Sequence, residues 1–460
     1  MENHEERAPA WRRGEGRESR EGVDEVPANG DADVAVIGLG RVGLPLALSF
    51  AARGLSVIGI DNDPERLSAV RDGRMPFLEP GGQELLDAAL AARTLALSEH
   101  VRDGARARFI VMTLGTPSFS HIEIDMGQIR GALDDLMSAL HPGHVLILRS
   151  TIAPGTTEFV AGYLAKHRGF AIGEEVYVAH APERIAAGRF LEEIDTLPCI
   201  VGGVGEESGR RVAELFSVFA APIVQTTPAQ AELAKIWTNI LRYTTFALPN
   251  LLMMDCERYG ANVFDVIELI NRDYPRGGIA LPGLTAGTCL RKDFAFSEER
   301  SNAPGMLLAV SRVNESVPLF LVEGLRRRMS SLAGRKVAVL GLAFKADTDD
   351  ERDSLAHKLI RLLERELADV AVHDPHVATK TASLADAVDE AAAVVVATNH
   401  SCFRDPATLA AVAQRAEPGC VVVDPWNCWG AGRVFAGAAE LVGGRANASE
   451  AASARAGGST

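Results

Sequence analysis

Two short stretches hold residue types whose spacing could do chemistry. In Leu281–Phe294 (LPGLTAGTCLRKDF), a loop bearing proline and glycines presents Cys289, with Lys292 and Asp293 just behind it. Loops place reactive groups within reach of substrates, and a neighbouring ammonium favours the thiolate, the nucleophilic form of cysteine. Taken alone, the segment is better read as a buried cysteine beside a surface ion pair. The second stretch, DVAVIGLGRVGLPLALSFAARGLSVIGID, sets Gly38, Gly40 and Gly43 between a β-branched run and an Ala/Leu-rich one and ends on Asp61, 18 residues after Gly43. Glycines at this spacing allow a tight turn that brings a pyrophosphate to a helix N-terminus. An acid at the end of the next strand accepts hydrogen bonds from ribose hydroxyls. The charge of Asp61 would repel a 2′-phosphate, which favours NAD over NADP. Arg66 is placed either to stack on adenine or to sit solvated on its helix.

These groups need elements to hold them. The runs VAVIGLG, LSVIGID, ARFIVMTLG, VLILRST, VYVAHAP and CIVGG, each followed by a helical pattern, predict a parallel sheet wrapped by helices. After Thr227 the pattern changes. PAQAELAKIWTNILRYTTFALPNLLMMDCERYG keeps apolar residues at helical spacing around one internal proline, Pro249, and a second helical stretch covers Pro304–Leu332. From Arg335 the strand signal returns as KVAVLGLAF, ADVAVHDP, AAVVVAT and CVVVDPW, although Gly341 opens no GxGxxG. The expected fold is α/β: two Rossmann-like doubly wound parallel-sheet domains, at 31–227 and 333–442, joined by a central helical domain at 228–332. The polar ends, 1–30 and 443–460, read as disordered tails. A long, largely apolar helix packs against a partner, so a homodimer through the central helices is expected.

Composition narrows the function classes. At 460 residues and 47% apolar content the chain is too long for one core. A formal net charge of −14 argues against nucleic acid or an anionic membrane as partner. With no apolar run near spanning length and a charged N-terminal segment, the expected location is cytoplasmic. Cys199, Cys256, Cys289, Cys402, Cys420 and Cys428 form no CxxC pair and no zinc spacing, so neither a disulfide framework nor a metal is expected.

Eight motifs occur in order: GLGRVGLPLA (38–47), LGTP (114–117), RSTIAPGT (149–156), PERIAAG (182–188), AELAKIWTN (231–239), the cysteine loop, GLAFKADTDDERDS (341–354) and VHDP (372–375). From about Asp33 to Val442 the chain thereby resembles the UDP-glucose/GDP-mannose dehydrogenase family of nucleotide-sugar 6-dehydrogenases. The resemblance implies that the primary alcohol of an NDP-sugar is oxidised by two successive hydride transfers to NAD, giving an NDP-uronic acid. It makes Cys289 the nucleophile. Thiolate attack on the aldehyde gives a thiohemiacetal, a good second hydride donor, and its oxidation leaves a thioester that water cleaves. Lys235 would stabilise the oxyanion, Asp293 would move protons, and Asn239, one helical turn beyond Lys235, would complete the oxyanion site. Read alone, Lys235 is a solvated helix charge. Glu183 is implied to activate water, and Thr151 to bind that water or flank the nicotinamide, where a plain turn hydroxyl is the alternative. Cofactor contacts are further implied at Thr116, Thr151, Lys292 and Arg352, and substrate contacts at Glu183, Lys235, Asn239, Gly283 and Lys345. Arg276 is implied to enter a neighbouring subunit's site, or else is an ordinary surface arginine.

The match departs in three places. Ala286 and Gly287 stand where the family usually has two glycines. Pro182-Glu183-Arg184-Ile185 replaces the Pro-Glu-Phe-Leu of glucose enzymes and looks closer to the N-acetylhexosamine branch. Trp426 precedes Asn427 where an arginine is usual. The substrate therefore stays open among UDP- or dTDP-glucose and UDP-N-acetylhexosamines. Two other readings compete. A single-oxidation hydroxyacid dehydrogenase of the 6-phosphogluconate type predicts no essential cysteine and no second sheet domain. A non-catalytic nucleotide-sugar-binding protein does not require Glu183, Lys235, Cys289 and Asp293 together.

Overall fold

The computed structural model describes residues 32–115, 118–119, 123–124, 127–285, 287–298, 305–377, 379 and 381–441. The proposed tails, Thr116 and Ala286 lie outside them. The described residues form two compact units. One runs to Thr238 and takes in Ala295–Glu298; the other holds Asn239–Phe294 and the residues from Gly305 onward.

The first unit is built on an eight-stranded sheet. Its strands are β1 (Ala32–Ile37), β2 (Val57–Ile60), β3 (Leu95–Ser98), β4 (Ala107–Met112), β7 (Val145–Leu148), β8 (Tyr177–His180), β9 (Cys199–Gly203) and β10 (Ile223–Thr226), in the order β10-β9-β8-β7-β4-β1-β2-β3. A two-stranded hairpin, β5 (Ser118–Phe119) with β6 (Glu123–Ile124), stands apart. β1 is buried along its whole length because helices cover both faces of the sheet. Its alternate residues serve two cores: Val34 and Val36 pack with Leu44, Phe50 and Phe109, whereas Ala35 and Ile37 pack with Ile110, Leu133 and Leu136. β8 and β9 pair antiparallel, a departure from the expected all-parallel sheet. The intervening chain holds only the four-residue helix Phe190–Glu193, too little for the crossover that parallel neighbours need.

The second unit carries a five-stranded sheet ordered β12-β11-β13-β14-β15, from β11 (Lys336–Leu340), β12 (Asp369–His373), β13 (Ala393–Val396), β14 (Val421–Val423) and an antiparallel edge strand β15 (Phe435–Gly437). A second sheet domain is therefore present, which the single-oxidation reading did not predict. Val337 and Val339 of β11 share one apolar cluster with Met253, Phe264, Val317 and Leu321 from the helices Pro228–Tyr259, Val263–Asn271 and Met306–Met329. The fold is two parallel-sheet α/β domains with a central helical region.

The two sheets open alike. Gly38 and Gly341 follow β1 and β11 with φ of +96° and +95°, a conformation that glycine adopts without strain. Their N–H groups donate to Ile60 and His373 at 2.7 Å each. None of the six cysteines is in a disulfide, and burial pushes the thiols of Cys420 and Cys428 up to about 12, so both behave as small apolar residues. No helix among the described residues is long and apolar enough to cross a membrane.

Candidate active site

The helix after β1 starts at Gly43 with no side-chain cap, so the positive end of its dipole is left to face the turn, although the Leu44 N–H is already donated to the Gly40 carbonyl oxygen at 3.0 Å. A Cβ on Gly43 would sit 1.8 Å from the Gly38 carbonyl oxygen, so the turn closes only around glycine. Gly40 is the opposite case: nothing lies within 4 Å of where its Cβ would be, and that face stays open to a ligand. Asp61, buried at the end of β2, accepts from the Leu39 N–H at 2.6 Å, the Asp63 N–H at 2.9 Å and Arg66 Nη1 at 2.8 Å. Arg66 is thus tied to Asp61. Turn, open face and acid together fit a dinucleotide.

Arg149 follows β7 and Glu183 follows β8. Arg149 Nη2 donates to Glu183 Oε2 at 2.6 Å, with the two side chains 3% and 9% exposed. Glu183 Oε1 accepts from the Arg184 and Ile185 N–H groups at 2.7 and 2.8 Å. Burial works against the Arg149 charge, but the Glu183 carboxylate outweighs it and holds the guanidinium above its ordinary range. Thr151 and Lys235 are both buried, and a buried lysine is no solvated helix charge. His180 is buried with Nε2 at 3.1 Å from the Ser150 carbonyl oxygen. Burial, aided by the charges of Arg149 and Lys235, pushes it down to about 3, so it is neutral at physiological pH. Glu232, on the helix of Lys235, accepts from the Gly155 and Thr157 N–H groups at 2.7 and 2.9 Å and so ties the RSTIAPGT segment down.

In the second unit Cys289 lies in the first turn of the helix Thr288–Glu298 and is exposed, not on a loop as expected. Gly287, with φ +105°, breaks the chain immediately before, and TCLRKDFAFSE contains no further glycine or proline to delay the helix. The first turn of a helix also favours an anion such as a thiolate. Asp293 is fully buried, accepts from Asn239 Nδ2 at 2.5 Å and lies 3.8 Å from Lys292 Nζ. The Tyr243 and Phe294 rings stack at 6.2 Å. Gly283 is buried; its Cβ would fall 2.4 Å from the Trp426 ring, and its N–H donates to Asn250 Oδ1 at 2.9 Å. Asn250 in turn donates to Asn314, which pins the cysteine loop to two helices. Lys345 is half-buried just after β11. Arg352 forms a bidentate pair with Asp350 at 2.8 and 2.7 Å, which raises its pKa, with a smaller contribution from Cys289. Arg276 is exposed over the Tyr274 ring.

The fold brings together three groups that sequence spacing does not: ligand atoms of Asp347, His376 and His400 come within 4.8 Å of one another. The ring of His400 is already engaged, however. Nδ1 accepts from the Asp347 N–H at 2.9 Å and Nε2 donates to Asp374 at 3.1 Å. Asp374 is held well below the usual carboxylate range; burial opposes this, but His400 and the N–H groups of Leu342, Ala343 and His376 prevail.

Sequence reasoning missed Arg149, His180, Glu232 and Asn250. Arg149 stood inside a quoted motif, yet only the pairing of β7 with β8 brings it to Glu183, 34 residues on.

Comparison with known proteins gives a consistent result. Three sequence models of the UDP-glucose/GDP-mannose dehydrogenase family match in chain order: its NAD binding domain at 32–220, its central domain at 229–316 and its UDP binding domain at 338–431. A UDP-N-acetyl-D-mannosamine dehydrogenase from Pyrococcus horikoshii is 33% identical over 378 residues, 81% of this chain and 90% of that one. Another, from Campylobacter jejuni, is 31% identical over 397 residues, 80% and 96% of the two chains. The solved structure of the UDP-D-ManNAc dehydrogenase from Pyrococcus horikoshii superposes with a TM-score of 0.78 at 32% identity, covering 84% of this chain and 93% of that one.

Proposed function

Given that the chain belongs to the UDP-glucose/GDP-mannose dehydrogenase family and is an NAD-dependent nucleotide-sugar dehydrogenase, we propose that it oxidises C6 of a UDP-N-acetylhexosamine to the uronic acid in two steps. The observation that carries the reading is Cys289, an exposed thiol at a helix start four residues before the buried Asp293 carboxylate. Two NAD, bound in turn, would each accept one hydride, and Gly38, Gly40, Gly43 and Asp61 would hold them, with Thr116, Thr151, Lys292 and Arg352 as further contacts. In the first step the C6 alcohol loses a hydride to NAD and a proton toward Asp293, leaving an aldehyde. The Cys289 thiolate adds to the aldehyde carbon, and Lys235 and Asn239 stabilise the resulting oxyanion. Loss of the second hydride converts the thiohemiacetal to a thioester. Water, activated by Glu183, cleaves the thioester to the carboxylate and returns the thiolate.

The sugar is assigned from Pro182-Glu183-Arg184-Ile185 and from relatives that act on UDP-N-acetyl-D-mannosamine. Lys345 and Gly283 belong to its binding site. The active unit is a homodimer through the central helices. Supporting it, Leu241, Leu248, Leu251 and Tyr259 are exposed apolar residues on one helix and Leu269 is exposed on the next, and Arg276 is exposed.

NADH release from UDP-N-acetylmannosamine, UDP-N-acetylglucosamine, UDP-glucose and dTDP-glucose tests the substrate. One N-acetylhexosamine should exceed both glucose nucleotides in kcat/KM by about tenfold or more, as lost hydrogen bonds to the acetamido group imply. A preference for either glucose nucleotide overturns the assignment.

A further inference from the structure

β7 and β8 are parallel neighbours, so Arg149 and the segment Ala181-Pro182-Glu183 leave the sheet side by side. Arg149 then holds that segment three times over. Its carbonyl oxygen accepts from the Glu183 N–H at 3.0 Å, Nη1 donates to the Ala181 carbonyl oxygen at 2.9 Å, and Nη2 donates to Glu183 Oε2 at 2.6 Å. The Phe216 ring lies under the guanidinium, 4.9 Å from centroid to Cζ. A lysine has neither the fork nor the flat face for this arrangement.

The carboxylate is constrained to match. A carboxylate offers about four lone-pair sites, two on each oxygen. On Glu183 both sites of Oε1 are taken by the Arg184 and Ile185 N–H groups, and one of Oε2 by Arg149. One acceptor site remains, on Oε2, and the bond to Arg149 sets its direction. We infer that Arg149 is the positioning residue for thioester hydrolysis: it fixes the one acceptor site of Glu183 that can take a proton from water. The inference rests on the reading of Glu183 as the group that activates water. Without Arg149 the carboxylate would be buried with no paired charge and nothing to aim its remaining acceptor site.

The test uses the full-length enzyme with NAD and UDP-N-acetylmannosamine or UDP-N-acetylglucosamine, whichever turns over. Readouts are rapid-quench NADH formation, the mass of the uronyl adduct on Cys289, and kcat against pH. Arg149→Met should keep the first-turnover NADH burst and KM within a few-fold. Its kcat should fall by about a hundredfold, the scale of a lost general base, with uronyl-enzyme accumulating and the acid limb of kcat moving to higher pH. A merely structural role would not move that limb. Arg149→Lys, which keeps the charge and loses the fork, should regain part of the rate. Arg149→Met with a wild-type limb and no adduct overturns the inference. If that variant does not fold, Arg149→Lys decides: accumulating adduct supports the inference, and wild-type hydrolysis overturns it. Glu183→Gln separates the two readings. Wild-type hydrolysis in Glu183→Gln removes the reading of Glu183 and the inference with it. Adduct in Glu183→Gln but not in Arg149→Met removes the inference alone.

Discussion

At the scale of residues, the chemistry depends on a few side chains whose environments differ sharply. Cys289 is exposed, whereas Asp293, Lys235 and Glu183 are buried. Replacing Cys289 by serine should therefore leave the melting temperature within a degree or two while lowering uronate formation by about a thousandfold or more, as removal of a covalent nucleophile does; unchanged uronate formation would remove the thioester from the scheme. His180 makes a second prediction, about pH. Its folded-state pKa of about 3 lies below the ordinary 6.5, so the unfolded chain binds the extra proton between those values. Stability should fall as pH drops from about 6.5 toward 3. Thermal melts across that window should show the loss, and His180→Gln should flatten it; an unaltered slope would place the acid sensitivity elsewhere. Of these residues, Cys289, Asp61 and the glycines were legible because their signals are local. Arg149 with Glu183, and Asn250 with Gly283, were not, because strand pairing and helix packing bring them together across 34 and 33 residues.

Among elements, the glycine turn yields a paired prediction. Gly43→Ala puts a methyl 1.8 Å from the Gly38 carbonyl oxygen, so it should lower the melting temperature and abolish NAD binding. Gly40→Ala meets nothing within 4 Å, so it should leave the melting temperature nearly unchanged and raise KM for NAD by blocking the pyrophosphate's approach. Dye-monitored melts and NAD titrations distinguish the two; equal destabilisation by both would contradict the open face at Gly40. The same scale shows where reading the chain failed. Buried central strands such as Val145–Leu148 announce themselves as apolar runs, but the edge strands Leu95–Ser98, Ile223–Thr226 and Phe435–Gly437 are short and half-covered, with little pattern to see. The helix at Cys289 was read as loop because the glycines and proline before it masked a good helical run after it.

For the whole molecule, the family establishes NAD and a nucleotide sugar as the reactants, and the proposed dimer and two-step oxidation follow from features spread along the chain. Leu248, more than half exposed on the long helix, is a direct handle on assembly. Leu248→Glu should shift the sedimentation coefficient from dimer to monomer and, with Arg276 no longer reaching a partner, lower activity in parallel; a variant that stays dimeric would move the interface off this helix. In the proposed reaction one site oxidises one carbon twice without releasing the aldehyde. NADH formed per nucleotide sugar consumed measures it most directly, with excess NAD and limiting UDP-N-acetylhexosamine. The two-hydride scheme predicts a ratio of about two, with no aldehyde trapped by an added amine; a ratio near one would contradict it.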